Sequence, residues 1–278
     1  MAPESKKIAL IVTNVFEHAT KTINYNFCEN IGDGRGFTCG NVGFTTGTGD
    51  LYTLVTEYQK RVGETGFSKY LTELNRLASS TSCSVPKGDV SQLSGFPDVW
   101  KKESCQVAFR KAQDDVSDFI YFLPAMELAA QVGVKSVLGR SIFYDSAVQH
   151  GWEADDGLSL KTIIALTGPL ADQNEALYLE RFLTIRRKML CCFPDNVWPA
   201  SADRVSDFMG ILKTGNLNLT APVKLSAYNT EITGQESNES LCSNSALAKP
   251  SSGNVRAPSV YSILSVLGFV LYKISFNI

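Results

Sequence analysis

Apolar residues recur with a helical period along most of the chain. Near the start, Ile8, Ile11, Val12 and Val15 follow the spacing of an amphipathic helix that packs one face on a core. The same period predicts further helices, which we place at residues 50–62, 67–77, 99–122, from 124 onward, 134–149, 158–166, 171–192 and 202–213. Alternating apolar and polar runs are almost confined to residues 30–46. The pattern therefore predicts a mainly α fold, in the α+β class, with a small β hairpin or sheet.

Residues 78–98 interrupt this pattern with a long stretch rich in Ser, Gly and Pro. Loops of that length inside a compact domain are uncommon and are often functional. We interpret this one as a crossing between two lobes. Two lobes would place a substrate cleft at the centre of the domain.

The last fifty residues have a different composition. Residues 230–258 are rich in Ser, Asn and Pro, which is typical of a disordered linker. Residues 259–278 are apolar except for Lys273, and twenty apolar residues can just span a bilayer. Small residues, a spacer and an apolar tail resemble a lipid-anchor signal, while a tail-anchoring helix and a misread gene end are the alternatives. Residues 1–229 are then the predicted folded domain, with two lobes.

Charge and cysteine content exclude several classes of function. The chain of 278 residues carries a net charge of −2 with its Lys and Arg scattered, so no basic surface predicts a nucleic-acid partner. Its seven cysteines follow no metal-ligand spacing, and only two histidines, His18 and His150, could join them. We therefore predict no metal and no cofactor. A disulfide such as Cys28–Cys39 is compatible with the sequence, but the sequence does not determine the pairing.

A glycine-rich stretch, NIGDGRGFTCGNVGFTTGTGD, covers residues 30–50. No lysine follows its glycines and no apolar strand precedes it, so neither phosphate-binding fingerprint fits. We interpret it as a tightly turning hairpin that exposes Asp33, Arg35 and Thr38. Arg35 could hold the Asp33 carboxylate ionised, and the Thr38 hydroxyl could orient a water molecule. The alternative is an Asx-type turn, in which Asp33 merely accepts a backbone hydrogen bond.

A second carboxylate, Glu17, lies in the first predicted helix next to apolar residues. Desolvation beside such a face is expected to raise the pKa of a carboxyl group. One protonated and one ionised carboxyl group is the pair that glycoside hydrolysis requires. From periodicity alone, Glu17 could equally be a solvated helix residue.

These segments together resemble one known family. IGDGRGFT and GFTTGTGDL, with KKIALIVTNVFE before them and FRKAQDD, YDSAVQHG and GNLNL after them, are similar to the chitosanases of glycoside hydrolase family 46. The resemblance covers about residues 6–228. It implies a lysozyme-like fold of two lobes around a cleft, and an endo-acting, inverting hydrolysis of β-1,4 bonds in chitosan. It also implies Glu17 as general acid, Asp33 as general base and Thr38 as the residue that positions water.

The resemblance implies two further groups of residues. Arg35, Asp50 and Glu29 match substrate-binding positions, and carboxylates suit a substrate that is a polycation. Arg204, Asp145 and Arg186 match a charged network behind the acid, with Arg187 as an alternative to Arg186. The residues before Arg204 depart from the family pattern, since Trp198 and Pro199 replace a histidine and paired aspartates.

We therefore predict a monomeric chitosanase that acts on chitosan or on partially acetylated glucosamine oligomers. The alternative is a surface protein that binds chitosan on the same fold with little or no turnover, and a weaker one is a hydrolase of chitin or peptidoglycan. The tail predicts an extracellular or cell-surface location with membrane attachment, although no signal peptide is evident before Glu17.

Overall fold

A computed structural model of the chain describes residues 1–80, 85–153, 158–170, 174–192 and 199–236. The helices are α1 (Pro3–His18), α2 (Asp50–Val62), α3 (Leu71–Ser79), α4 (Phe96–Glu103), α5 (Val107–Ser117), α6 (Leu123–Val132), α7 (Val137–His150), α8 (Leu160–Thr167), α9 (Glu175–Cys191) and α10 (Asp203–Lys213). The strands are β1 (Cys28–Asn30), β2 (Phe37–Cys39), β3 (Phe44–Thr45), β4 (Val223–Leu225) and β5 (Thr230–Ile232). The prediction of a mainly α fold with small antiparallel sheets is confirmed.

Two compact units divide the described residues. The first contains residues 1–24 and 115–236, and the second contains residues 25–114. The second unit begins at Tyr25 and ends at Asp114. A hydrogen bond joins these two residues, since the Tyr25 hydroxyl donates to Asp114 Oδ1 at 2.9 Å. Both chain ends of this unit are therefore held together inside it.

Helix α1 carries the apolar face that the sequence predicted. Ile11, Val12 and Val15 are buried, and the ring of Phe16 packs on Phe208 of α10 with 5.2 Å between centroids. The helix ends at Ala19, which has a left-handed φ of 53°. The segment before Glu17 is thus a core helix of the first unit.

The prediction of one continuous helix at residues 99–122 is wrong. The chain forms α4 and α5 with a break at residues 104–106, and a π-helical turn, Asp118–Phe122, then leads into α6. The Ser104 hydroxyl donates to the Lys101 carbonyl at 2.7 Å, a side-chain bond that competes with the helical pattern. Helix α4 also begins earlier than predicted, directly after Gly95 with its φ of 74°.

Aromatic side chains fill the core of the second unit. Trp100 is fully buried, and its ring lies 5.8 Å from Phe67 and 4.9 Å from Phe109 between centroids. Its indole N–H donates to the Tyr25 carbonyl at 2.9 Å, and Gln113 donates to the same oxygen at 3.1 Å. These two bonds hold the chain that enters the sheet against α4 and α5.

The sheet of this unit has the order β1-β2-β3 and is antiparallel throughout. Cys28 and Cys39 are register partners, and a disulfide bond joins them. The sequence had left this pairing open. The disulfide closes the hairpin whose turn, residues 31–36, contains Asp33.

Strands β4 and β5 correct the predicted end of the folded domain at residue 229. Thr230–Ile232 pair antiparallel with Val223–Leu225, and Val223, Leu225 and Ile232 are buried in the core of the first unit. The strands are three residues long, too short for an alternating pattern to stand out in sequence. The rest of the predicted linker, from residue 237, and the apolar tail at 259–278 lie outside the described residues. Within the described part of the chain, no helix has both the length and the apolar character needed to cross a membrane.

We predict that Ile232→Ala lowers the free energy of unfolding by about 2–5 kcal/mol, because it removes a fully buried aliphatic side chain. The neighbouring Glu231→Ala removes an exposed side chain, so its expected effect stays within about 0.5 kcal/mol. Urea denaturation of both variants tests this. Equal and small losses would show that the β4–β5 hairpin is not part of the core.

Candidate active site

Glu17 lies near the C-terminal end of α1, directly after the buried residues Val15 and Phe16. Its side chain is 27% exposed, so the carboxyl group is at the border of the apolar face. Arg204 of α10 donates from Nη1 to Glu17 Oε1 at 2.8 Å, and from Nη2 to the Phe16 carbonyl at 3.4 Å. Arg204 therefore orients both the end of the helix and its carboxyl group.

Behind Glu17 the charges form a buried chain. Arg204 Nη1 also lies 3.4 Å from Asp145 Oδ1, and Arg186 Nη2 donates to Asp145 Oδ2 at 2.7 Å. Asp145 and Arg186 have no solvent exposure, so each charge is compensated only by its neighbours. The structure thus brings together the four predicted residues of the first unit: Glu17, Arg204, Asp145 and Arg186.

The geometry selects Arg186 over its neighbour for this network. Arg187 instead donates to the Ser206 hydroxyl at 2.5 Å and contacts no residue of the charged chain among its described bonds. Arg186 also donates to Gln149 Oε1 at 2.5 Å. The sequence analysis missed Gln149, although its spacing of i+4 from Asp145 on α7 places both on one helix face.

Burial and neighbouring charges shift the pKa values of Arg204 and His150. Burial by itself lowers the pKa of Arg204, but the carboxylates of Glu17 and Asp145 raise that pKa above its usual range. Burial, reinforced by the positive charges of Arg186 and Arg204, lowers the pKa of His150 to about 2. His150 therefore stays neutral at the end of α7.

Two further residues near Arg204 were missed from the sequence. Asp207, one turn after Arg204 on α10, accepts a hydrogen bond from the Ala227 N–H at 2.8 Å and holds the β4–β5 turn. That turn carries Tyr228, whose ring lies 5.1 Å from the ring of Phe16. Burial raises the pKa of Asp207 and that of Tyr228. The i, i+3 spacing of Arg204 and Asp207 was the available signal.

Asp33 and Arg35 form a compact pair in the turn between β1 and β2. Arg35 Nε donates to Asp33 Oδ2 at 2.8 Å, and Nη2 lies 2.6 Å from the same oxygen. The Arg35 backbone N–H donates to Asp33 Oδ1 at 3.0 Å, which is an Asx-type turn. The turn therefore has the backbone hydrogen bond of an Asx-type turn and also an arginine contact that favours an ionised carboxylate. Burial alone raises the pKa of Asp33, but its bonds to Arg35 lower that pKa below the ordinary value.

The glycines of this turn supply its backbone conformation. Gly32, Gly34 and Gly36 have φ values of 76°, 82° and 81°. Residues other than glycine adopt such values only with strain. No atom lies within 4 Å of a Cβ placed at Gly32. The side chains of Asp33 and Arg35 are 26% and 53% exposed. The turn therefore exposes the Asp33 carboxylate and the Arg35 side chain to solvent, with little side-chain bulk around them.

Glu29 and Thr38 are register partners on β1 and β2. Glu29 is exposed, whereas the Thr38 hydroxyl is buried and makes no hydrogen bond within the described part of the chain. That hydroxyl keeps its capacity to donate and accept, but solvent does not reach it here. The substrate-binding role of Glu29 and the water-positioning role of Thr38 stay predictions.

Asp50 is the first residue of α2, and Gly49 is its N-cap. One carboxylate oxygen, Oδ1, accepts hydrogen bonds from Thr45 N at 2.9 Å, Thr48 Oγ1 at 2.7 Å and Leu51 N at 2.8 Å. Burial raises the pKa of Asp50 against these bonds. Asp50 thus closes the turn after β3, and its contact with a sugar stays a prediction.

The predicted site residues fall into two groups. Glu17, Asp145, Arg186 and Arg204 belong to the first unit; the second unit contains Glu29, Asp33, Arg35, Thr38 and Asp50. In the described ranges, no group of three or more His, Cys, Asp and Glu side chains is arranged to hold a metal ion. Each unit thus offers one solvent-accessible carboxyl group bound to an arginine, Glu17 with Arg204 in the first and Asp33 with Arg35 in the second.

Pairs of carboxyl groups that act as acid and base are typical of glycoside hydrolases. The model of glycosyl hydrolase family 46 matches residues 11–223, and the chain belongs to this family. It is therefore a glycoside hydrolase, as the sequence predicted.

Relatives and solved structures agree with this assignment. The chain is 38% identical over 231 residues to a chitosanase from Bacillus subtilis, covering 79% of this chain and 81% of the relative. A family 46 chitosanase from Gynuella sunshinyii, solved in complex with chitotetraose, has a TM-score of 0.75 and 33% identity, covering 84% of this chain and 98% of that one. A native chitosanase crystal structure from Bacillus subtilis also has a TM-score of 0.75, with 36% identity over 84% of this chain and 100% of that one.

We predict that Arg186→Met costs about 3–5 kcal/mol of unfolding free energy, because it leaves the buried Asp145 with Arg204 as its remaining partner. The adjacent Arg187→Met removes a bond to a neutral hydroxyl and is expected to cost roughly 1–2 kcal/mol. Urea denaturation at neutral pH compares the two. A larger loss in Arg187→Met would contradict the assignment of Arg186 to the network.

Proposed function

We propose that this chain is an endo-acting, inverting chitosanase in which Glu17 is the general acid and Asp33 the general base. The observation that carries the proposal is the pairing of each carboxyl group with its own arginine contact, Arg204 at 2.8 Å and Arg35 at 2.6 Å. Membership of family 46 and the chitosanase names of the relatives support it.

In the proposed reaction, Glu17 gives its proton to the glycosidic oxygen as the bond from that oxygen to C1 breaks. Arg204 contacts Oε1, and we assign the transferred proton to Oε2. The buried Asp145 and Arg186 hold Arg204 in place, so they act as positioning residues. Fixing the donor in this way reduces the entropy lost on reaching the transition state.

Asp33 accepts a proton from water while the water oxygen forms a bond to C1 on the opposite face of the sugar. The product anomer is then inverted. Because bonds to Arg35 lower the pKa of Asp33, its carboxylate is ionised in mildly acidic solution, where chitosan is soluble. We assign the positioning of this water to Thr38 because Thr38 matches the water-positioning threonine of family 46.

Chitosan is a polymer of glucosamine whose amino groups are cationic, so acidic side chains suit its binding. Glu29 is exposed beside the Asp33 turn, and Asp50 and Arg35 lie in the same unit. We propose these three as substrate-binding residues. The chitotetraose bound to the Gynuella sunshinyii relative supports glucosamine oligomers as the ligand class.

We predict that Glu17→Gln and Asp33→Asn each lower the release of reducing sugar from chitosan by a factor of about 10³ or more, since each removes one proton transfer and its positioned group. Glu127→Gln, an exposed carboxyl group on α6, is the matched control and is expected to keep its activity. Near wild-type rates in both site variants would sink the assignment.

Two further measurements separate the alternatives. Proton NMR of the first products distinguishes inversion from retention at C1, and retention would overturn the mechanism. Parallel assays on chitosan, chitin and peptidoglycan identify the preferred polymer. Tight binding of chitosan oligomers without product would instead support a binding protein on this fold.

We propose an extracellular or cell-surface location, and a monomer. The disulfide between Cys28 and Cys39 supports the location, because such bonds persist in oxidising compartments, and Cys105 also belongs to a disulfide. Membrane attachment through residues 259–278 stays a prediction. Immunodetection of the native protein in medium, wall, membrane and cytosol tests the location, and a purely cytosolic signal would contradict it.

A further inference from the structure

Residues 85–90, called the supporting segment below, lie against the turn that carries Asp33. A Cβ placed on Gly88 would lie 2.9 Å from the Gly34 oxygen, 3.0 Å from its carbonyl carbon and 3.3 Å from its Cα. All three are backbone atoms, so no side-chain rotation relieves the contact. Gly88 and Gly34 therefore pack backbone against backbone, at the residue that follows Asp33.

A second contact joins the supporting segment to Gly47, which follows β3 and is hydrogen-bonded to Arg35 of the turn. A Cβ on Gly47 would lie 2.6 Å from the Lys87 carbonyl oxygen and 2.9 Å from the Arg35 carbonyl oxygen. Gly47 N–H also donates to that Arg35 oxygen at 2.9 Å. The backbone of Gly47 is thus in close contact with those of Lys87 and Arg35, so the supporting segment meets the turn directly at Gly34 and through Gly47 at Arg35.

The supporting segment is itself anchored to the helical part of this unit. The Lys87 ammonium donates to the Ser80 carbonyl at 2.7 Å and to the Leu77 carbonyl, both at the C-terminal end of α3. Asp89 Oδ2 lies 3.4 Å from Arg76 of the same helix. Three side chains therefore connect the supporting segment to α3.

We propose that the supporting segment positions the general base: Gly88 fixes the backbone of Gly34, and Lys87 fixes Gly88 relative to α3. The inference rests on the proposed role of Asp33. Gly88 is a positioning residue, since it acts through Gly34 and touches no reacting atom. Neither Gly88 nor Lys87 belongs to the site residues inferred from the sequence.

Gly88→Ala tests the contact directly. Gly88 does not have a positive φ, so alanine can adopt its backbone conformation. The effect of the substitution then comes from the contact between the new methyl group and Gly34. The methyl group should displace Gly34 and loosen the bonds between Arg35 and Asp33, which raises the pKa of Asp33 from its lowered value toward its ordinary 3.8. A base must be ionised, so the acidic limb of kcat/KM should move to higher pH, with a loss of about 10- to 100-fold in kcat/KM.

Controls separate positioning from a general loss of structure. Gly210→Ala, on the exposed side of α10, adds a methyl group with no atom within 4 Å and should leave the pH profile unchanged. If Gly88→Ala does not fold, Lys87→Met should give the same shift in milder form, and Lys87→Arg should restore the wild-type profile. A folded Gly88→Ala with a wild-type acidic limb and a wild-type Asp33 titration would overturn the inference.

Titration of the Asp33 carboxyl by carbon-13 NMR, without substrate, keeps the two proposals apart. If the Asp33 pKa is raised in Gly88→Ala but the acidic limb of the kcat/KM profile does not move, the positioning inference is supported and Asp33 is refuted as the base. An unchanged pKa, with Asp33→Asn inactive, refutes the positioning inference alone.

Discussion

The charge of Asp145 is buried without any contact with water, and two guanidinium groups make this burial tolerable. Arg186 comes from α9 and Arg204 from α10, while Asp145 itself is on α7. A displacement of any of these helices would leave a buried charge uncompensated. Because Arg204 also binds Glu17, the same constraint that holds the helices of the first unit together holds the proposed acid.

The second unit holds its carboxylate by contacts local to one hairpin instead. Asp33 is in an exposed turn of positive-φ glycines, which has no apolar core of its own. The disulfide between Cys28 and Cys39 closes the hairpin below the turn, and Arg35 binds Asp33 through both its side chain and its N–H. A turn with so few side-chain contacts of its own needs contacts from other segments to fix its conformation. The close approach of Gly88 to Gly34 is one of them.

How far the sequence predicted these features depends on the range of the interaction. Helix α2 was predicted with both of its ends correct, because its apolar period and its flanking glycines are local signals. The break after α4 was missed, since it follows from a Ser104 hydrogen bond that the periodicity does not show. Residues 223–232 were missed because each strand of the hairpin is only three residues long.

The site required a different kind of information. Glu17 and Arg204 are 187 positions apart, a separation at which no periodicity links two residues. The resemblance to family 46 supplied that pairing, while it left Arg186 and Arg187 as alternatives. Packing then distinguishes the two arginines, since only Arg186 is directed to Asp145. Supporting residues such as Gly88, Gln149 and Asp207 act through tertiary contacts and carry little local signal.

The acid and base roles that we propose for Glu17 and Asp33 do not follow from solvent exposure. Their side chains are almost equally exposed, 27% for Glu17 and 26% for Asp33. What differs is the arginine. Arg204 continues from Glu17 to the buried Asp145, which Arg186 contacts from its other side, whereas Arg35 binds Asp33 within the same exposed turn. The proposed acid is therefore held by side chains from three other helices, and the proposed base is held by its own turn and by the supporting segment that packs on it.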